Sequence, residues 1–395
     1  MKLAILGGSF NPVHLGHLFL ADAALSCLNY DRVVLVPAYR SPFKLQAEGM
    51  ENSAGDRLEM LAAAVAGDPR LAIDDCEIRR GGISYTVDTL RDIITRYVPD
   101  EKPALIIGDD LASDFPKWHN SGEILEMADI IIGRRVNSCE CQYPFPCTFI
   151  DNEVINISSH MVRRKITEKK NWRSLVPSAV RAVIEGKKLY GFRGGAEINK
   201  GCPLPLVLRV EEAAREALNT ERFLHSRNTA LLAFDMCRRF GIEAETGYLA
   251  GIAHDLGKQI DNKLMLKLAE TDGMEISALE KKHPNLLHGR AGAVLLKERF
   301  NIHNDDVFEA VAFHTSGREN MGDLAKVIYI ADKTEVSRNI DPAFRKMCYE
   351  EKELDSIFYA ILNKTVNKLK SKNLDLSDET IRLLEKMKGK SSLTI

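Results

Sequence analysis

Long apolar runs are missing from this chain of 395 residues. Nothing in it reaches the ~18 consecutive apolar residues that a membrane span needs. The opening MKLAILGGSF is too short and too glycine-broken for a secretory leader. Charge imbalance is also lacking: 54 Lys and Arg against 56 Asp and Glu leave a net −2. Electrostatics alone therefore makes no case for a nucleic-acid or membrane surface. Disulfide density is low, since eight cysteines are spread over the whole chain. Cys139, Cys141 and Cys147 do cluster, but no histidine or cysteine follows at zinc-ligand spacing, and a loop with incidental thiols is favoured over zinc. What remains is the composition of a cytoplasmic globular protein, 45% apolar and 28% charged, with no nucleic-acid or membrane partner. Its length calls for ~2 to 3 domains, and oligomeric state is not legible.

Two halves with different periodicity follow. In the first, short apolar runs alternate with helical patterns: Leu3–Leu6, Val33–Val36, Leu71–Ile73, Ala104–Ile107, Ile130–Ile132 and, less cleanly, Thr148–Ile150. Runs without polar alternation are buried on both faces, as in a parallel sheet covered by helices. The expectation is a doubly wound, Rossmann-like α/β domain over residues 1–194. A Gly- and Pro-rich stretch, RGGAEINKGCPLPL, predicts a linker at 195–204. Beyond it, residues 205–395 carry helical spacing and no clear strand, so the second domain reads as all-α.

The opening GGSFNPVHLGH stands where a buried strand passes to a helix. Glycines let the backbone come close to a ligand, and a helix N-terminus favours an anion. His14 and His17, three apart, add donors on the same side. The set suits a triphosphate and stabilises charge building on a phosphoryl group. On its own, His-x-x-His equally allows two histidines that merely cap a helix. ISSHMVRR, residues 157–164, repeats the theme late in the same half, with Ser158 and Ser159 as N-cap donors and Arg163 as a cation for phosphate.

Together these strings resemble the nucleotidylyltransferase superfamily. Class I aminoacyl-tRNA synthetases share the first motif, but this domain is too small and lacks their Lys-rich second loop. VPAYRSPFK, DRLEML, ISYTVDTL, IIGDDLASDFPKWH and ADIIIGRR then follow in the order of the nicotinate mononucleotide adenylyltransferases, over residues 1–190. Phosphopantetheine adenylyltransferases are the nearest competitors; SYTVDTL and the KW tract favour the nicotinate enzymes. The resemblance implies adenylyl transfer from ATP, with Mg²⁺, to nicotinate mononucleotide, giving nicotinate adenine dinucleotide and pyrophosphate. It implies that Gly8, Ser9, Phe10, His14, His17, Lys44, Ser158, Ser159 and Arg163 bind ATP, with His14 and His17 catalytic. Tyr85, Thr86, Asp109, Trp118 and Arg134 would bind the nicotinate nucleotide, Tyr85 and Thr86 through backbone N–H groups. Without that context, Trp118 and Arg134 read as ordinary surface residues. His160 departs from the family, which usually has Thr there, and altered ATP handling is the expectation.

In the second half, His225, His254, Asp255 and Asp332 stand out in FLHSRN, AHDLGK and YIADK. An aspartate after GYLAGIAH would be buried, and a buried carboxylate needs a strong partner such as a metal. His288 and His314 complete six possible ligands, enough for two metals sharing Asp255. The order resembles the HD-domain phosphohydrolases, and more narrowly the YqeK-type proteins, over residues 205–380. That resemblance implies two transition-metal ions, expected to be iron, a catalytic Asp255, and symmetrical hydrolysis of diadenosine tetraphosphate to two ADP. Lys258, Arg290 and Arg318 read as phosphate clamps or as exposed charges. His283 and His303 receive no role. A non-catalytic nucleotide-sensing module, or a hydrolase for another nucleotide, is the alternative for this half.

Overall fold

Six apolar runs become six strands in the computed structural model, which describes residues 1–42, 53–134, 142–150, 157–193 and 206–391. They are β1 (Leu3–Gly8), β2 (Arg32–Pro37), β3 (Leu71–Ile73), β4 (Ala104–Gly108), β5 (Asp129–Gly133) and β6 (Thr148–Phe149). All pairings are parallel, and the strand order is β3-β2-β1-β4-β5-β6. Every residue of β2 and β4 is buried, as a sheet covered on both faces requires. Each fully buried Val, Leu or Ile contributes roughly 1.5–3 kcal/mol to this core.

The order reverses between β1 and β4. Connections leave the sheet in opposite directions there, and a crevice opens beyond the carboxyl ends of the two strands. Gly8, Gly108 and Gly133 close β1, β4 and β5. Asp109 and Arg134 follow β4 and β5 directly, so the topology places both at that edge.

The chain divides into two compact units, Met1–Cys202 and Pro203–Ile395. The second is helical throughout its described residues. Its centre is the helix Thr220–Arg239, in which every residue from Phe223 to Ala233 is buried. A helix buried all round belongs in a core. Asn219 caps it, its side chain accepting from the Arg222 N–H at 2.9 Å. The helix Ala244–Ala253 crosses closely at Gly251, where an added Cβ would fall 2.5 Å from the Ala230 Cα. Helices His288–Phe300, Asp305–Phe313 and Asp323–Thr334 complete the wall around a buried polar cluster.

Candidate functional site

Sequence at the carboxyl edge of β1 sets the first site. The turn needs one left-handed residue, and it falls on Phe10 (φ 44°), not on a glycine. Phe10 is buried, and its ring lies 4.8 Å from that of His17. Gly8 ends β1, and its carbonyl accepts from the Ala38 N–H at 2.8 Å. His14 is the N-cap of the helix Leu15–Cys27 rather than a residue within it. Its backbone N–H donates to His17 Nδ1 at 3.2 Å, and the His17 N–H donates to the His14 carbonyl at 3.0 Å. The two rings lie 3.7 Å apart and both are buried. Their role therefore includes capping, which the sequence left open.

ISSHMVRR docks onto that loop. Ser158 is the N-cap of the helix Ser159–Thr167, its hydroxyl accepting from the Met161 N–H at 3.1 Å. Ser159 is not a cap, contrary to expectation: as the first helical residue it donates its hydroxyl to the Pro12 carbonyl at 2.9 Å. Arg163 Nη1 donates to the Asn11 carbonyl at 2.8 Å. The two motifs, about 150 residues apart in sequence, thus share one loop, here through protein contacts. His160 is exposed.

The expected nicotinate-side residues cluster less tightly. Tyr85 occupies the N-cap position of the helix Thr86–Tyr97, without a side-chain capping bond, and the first N–H groups of that helix have no intrahelical acceptor. The Tyr85 ring lies 4.4 Å from that of His119, the residue after half-buried Trp118. Trp118 rests on Phe115 at 5.3 Å. Asp109 is buried at the end of β4. Lys44 lies outside the described residues, as do Cys139 and Cys141.

Sequence reasoning missed two residues that hold this loop. Arg57 Nη1 donates to the carbonyls of Ser9 and Ala38, at 2.9 and 2.6 Å, tying the loop after β1 to the loop after β2. It is 1% exposed, and burial lowers its pKa. Tyr190 donates its hydroxyl to Asn11 Oδ1 at 2.7 Å. Arg57 reads in sequence as one charge on an amphipathic helix, with no spacing signal to set it apart.

In the second unit the six expected ligands converge. His225 Nε2 lies 3.0 Å from Asp332 Oδ1 and 3.2 Å from His254 Nε2. His288 Nε2 lies 3.0 Å from His314 Nε2. Asp255 stands between the pairs. Its Oδ2 is 3.6 Å from His254 and 4.0 Å from His225, while its Oδ1 is 3.2 Å from His288 and 3.7 Å from His314. Two metal-competent groups result, His225–His254–Asp332 and His254–Asp255–His314. Gly257 permits this approach: a Cβ there would fall 2.2 Å from the His288 carbonyl oxygen.

The imidazoles are already oriented. Nδ1 of His254, His288 and His314 sits 2.6–2.7 Å from the carbonyls of Gly251, Asn285 and Val311. A carbonyl only accepts, so each Nδ1 carries the proton and each Nε2 presents a lone pair inward. Lone pairs facing one another at 3.0–3.2 Å repel unless a cation or proton lies between them. Ring tautomers set from behind and carboxylates in front are the donor chemistry of a transition-metal site. Two groups contribute protons locally: Arg338 Nη2 is 3.0 Å from His225 Nε2, and the Thr315 hydroxyl is 3.1 Å from His314 Nε2.

Charges respond accordingly. Burial pushes His254 down to about 3 and also lowers His288. Burial would raise Asp255, but the neighbouring imidazoles His254, His288 and His314 hold it far below the carboxylate range. Asp332 is held low in the same way, against burial, by Lys333 and His225. His225 goes the other way: burial lowers it, and Asp332 and Glu335 outweigh that.

Cations ring the cluster. Arg222 Nη1 is 3.1 Å from Asp255 Oδ2, and Lys258 Nζ is 3.4 Å from His288 Nε2. Arg338 and Lys333 bond Asp332 at 2.6 and 3.2 Å. Two expected clamps are spent elsewhere. Arg290 is buried, bonding Asp272 and the carbonyls of Ala269, Met274 and Glu275, and pins a neighbouring loop. Arg318 pairs with Glu309 at 2.5 Å and covers the Phe313 ring.

Comparison with known proteins agrees with both architectures. Residues 5–165 match the cytidylyltransferase-like family model, and residues 222–337 match the HD domain model. A "Probable nicotinate-nucleotide adenylyltransferase" of Treponema pallidum is 41% identical over 204 residues, spanning 48% of this chain and 99% of that protein. One of the same name from Borreliella burgdorferi is 38% identical over 190 residues, 48% of this chain and 97% of that protein. Over its first half, the chain belongs to the nicotinate-nucleotide adenylyltransferase family. Its second half is a helical HD domain. A crystal structure titled as a predicted HD superfamily hydrolase involved in NAD metabolism, from Clostridium acetobutylicum, aligns at TM-score 0.44 and 27% identity, over 46% of this chain and 96% of that one.

Outside the six expected ligands, Glu335 joins the HD cluster unannounced by the sequence. Its side chain is fully buried and its Oε1 lies 3.0 Å from His225 Nδ1.

Proposed function

We propose that this chain carries two activities. The first unit transfers adenylate from ATP to nicotinate mononucleotide. A phosphate oxygen of the mononucleotide attacks the α-phosphorus of ATP, the bond to the β-phosphate oxygen breaks, and pyrophosphate leaves. Family membership supports this reading, and the docking of Ser159 and Arg163 on the Asn11–Pro12 loop is the geometry that carries it. His14 and His17 sit at the N-cap and in the first turn of the helix Leu15–Cys27, where charge on the leaving phosphates is best stabilised. Mg²⁺ accompanies ATP as its counter-ion. Gly8, Ser9, Phe10 and Ser158 would line the triphosphate, while Tyr85, Thr86, Asp109, Trp118 and Arg134 would take the nicotinate nucleotide; Lys44, assigned to ATP by the resemblance alone, lies outside the described residues. His17→Ala tests it: formation of nicotinate adenine dinucleotide falls about 100-fold or more, and an unchanged rate removes the assignment.

The second unit hydrolyses a nucleotide polyphosphate, and the symmetrical cleavage of diadenosine tetraphosphate to two ADP is our specific reading. The division of the two Asp255 oxygens between two histidine pairs is the observation that supports it. His225, His254 and Asp332 would hold one transition-metal ion; His288 and His314 would hold another; Asp255 would be shared. When bound, two such ions supply Lewis acidity and a nucleophilic hydroxide near neutral pH. Iron is proposed for both. Asp255 orients both halves of the cluster, and Arg222, Lys258 and Arg338 receive the negative phosphates around the reacting one. Release of ADP from diadenosine tetraphosphate by the metal-loaded chain tests the substrate, and release of ATP plus AMP contradicts it.

A further inference from the structure

Three of the four histidines in the cluster lean on backbone carbonyls; His225 alone leans on a carboxylate. That carboxylate, Glu335, is committed to the task. It accepts from the Ser337 N–H at 2.6 Å and from the Ser337 hydroxyl, and its side chain is 0% exposed. Arg345 pins the same turn, donating through Nε to the carbonyls of Thr334 and Glu335 at 2.9 and 3.3 Å and through Nη2 to that of Arg338. Thus Ser337 and Arg345 fix Glu335, Glu335 fixes the His225 ring, and His225 Nε2 is aimed at Asp332 and His254.

A carboxylate behind an imidazole does more than a carbonyl. It fixes the tautomer and also raises the ring's electron-donor strength toward a metal. His225 belongs to only one of the two metal-competent groups, His225–His254–Asp332. We propose that Glu335 is a positioning residue that tunes one metal position and not the other, making the two halves of the centre chemically inequivalent. The inference rests on the reading of the cluster as a two-metal centre and deepens it.

Titration of the metal-stripped full chain with Mn²⁺ alone, followed calorimetrically, tests this. Wild type is expected to bind two equivalents. In Glu335→Gln, which keeps the shape and loses the charge, one equivalent weakens about 10- to 100-fold and the other stays within about threefold. The melting curve of the metal-free chain stays where it was, which separates tuning from a folding defect. Should Glu335→Gln not fold, Ser337→Ala, at an exposed residue, decides: it removes one donor to Glu335 and weakens the same equivalent roughly tenfold, while the other stays within about threefold. Two equivalents bound as in wild type, or both weakened alike, overturn the proposal. A wild-type chain that binds no Mn²⁺ overturns the metal-centre reading itself, and this proposal with it.

Discussion

Replacing Asp255 by Asn keeps the shape of the side chain and removes the one charge that both halves of the HD cluster share. The structure allows the consequence to be sized. Four imidazoles lie within 4.0 Å of its two oxygens, and Arg222 lies 3.1 Å from Oδ2. An amide offers one acceptor and turns N–H donors toward the other side, where inward Nε2 atoms need lone-pair freedom to bind a cation. If two metals share Asp255 as proposed, its loss would forfeit most of the several kcal/mol that metal ions lend a hydrolytic transition state. At 1.36 kcal/mol per factor of ten, a loss of about 4–5 kcal/mol slows hydrolysis by roughly three to four orders of magnitude. Adenylyl transfer belongs to the other compact unit and stays within about twofold of wild type. The assay follows ADP from diadenosine tetraphosphate and nicotinate adenine dinucleotide from ATP and nicotinate mononucleotide in parallel. Hydrolysis within tenfold of wild type would refute the bridging role, and a matching fall in transfer would refute independence of the two activities.

Further expectations follow from single contacts. Gly257→Ala places a methyl where the His288 carbonyl stands, 2.2 Å away, so metal content and hydrolysis fall together while transfer persists; elemental analysis of the purified variant checks it. Asp74, buried behind β3, pairs with both Arg96 Nη atoms; burial would raise its pKa, and the guanidinium outweighs that and holds it down. A depressed carboxylate contributes stability above its unfolded value of about 4 and loses it as pH falls through its lower folded value. Asp74→Asn removes the counter-charge of half-buried Arg96 and costs about 3 kcal/mol by denaturant melts at pH 7, with the gap to wild type narrowing in acid. His160→Thr changes the Michaelis constant for ATP; a value equal to wild type removes any role for that histidine.

How legible this was from sequence depended on the kind of signal. Five of the six strands stood out because parallel strands buried on both faces leave unbroken apolar runs, and even three-residue β3 showed; β6, a two-residue strand that is not buried, read less cleanly. His225, His254, Asp255, His288, His314 and Asp332 stood out because buried histidines and aspartates on apolar helices demand a partner. Glu335 and Arg57 did not. Each is a charged residue in a sequence that already contains 110 of them, 54 basic and 56 acidic, and only the folded chain shows that both are buried. Ser159 was misplaced by one residue because two adjacent serines compete for one cap, and the loser bonds Pro12 instead. Nothing in the sequence pointed to Phe10, among three nearby glycines, as the left-handed residue of the turn after β1.

The number of transition-metal ions carried by each purified chain tests the account most directly. Two per chain, falling in Asp255→Asn together with ADP release, is the predicted result. Hydrolysis at the wild-type rate by a chain stripped of transition metal would contradict it.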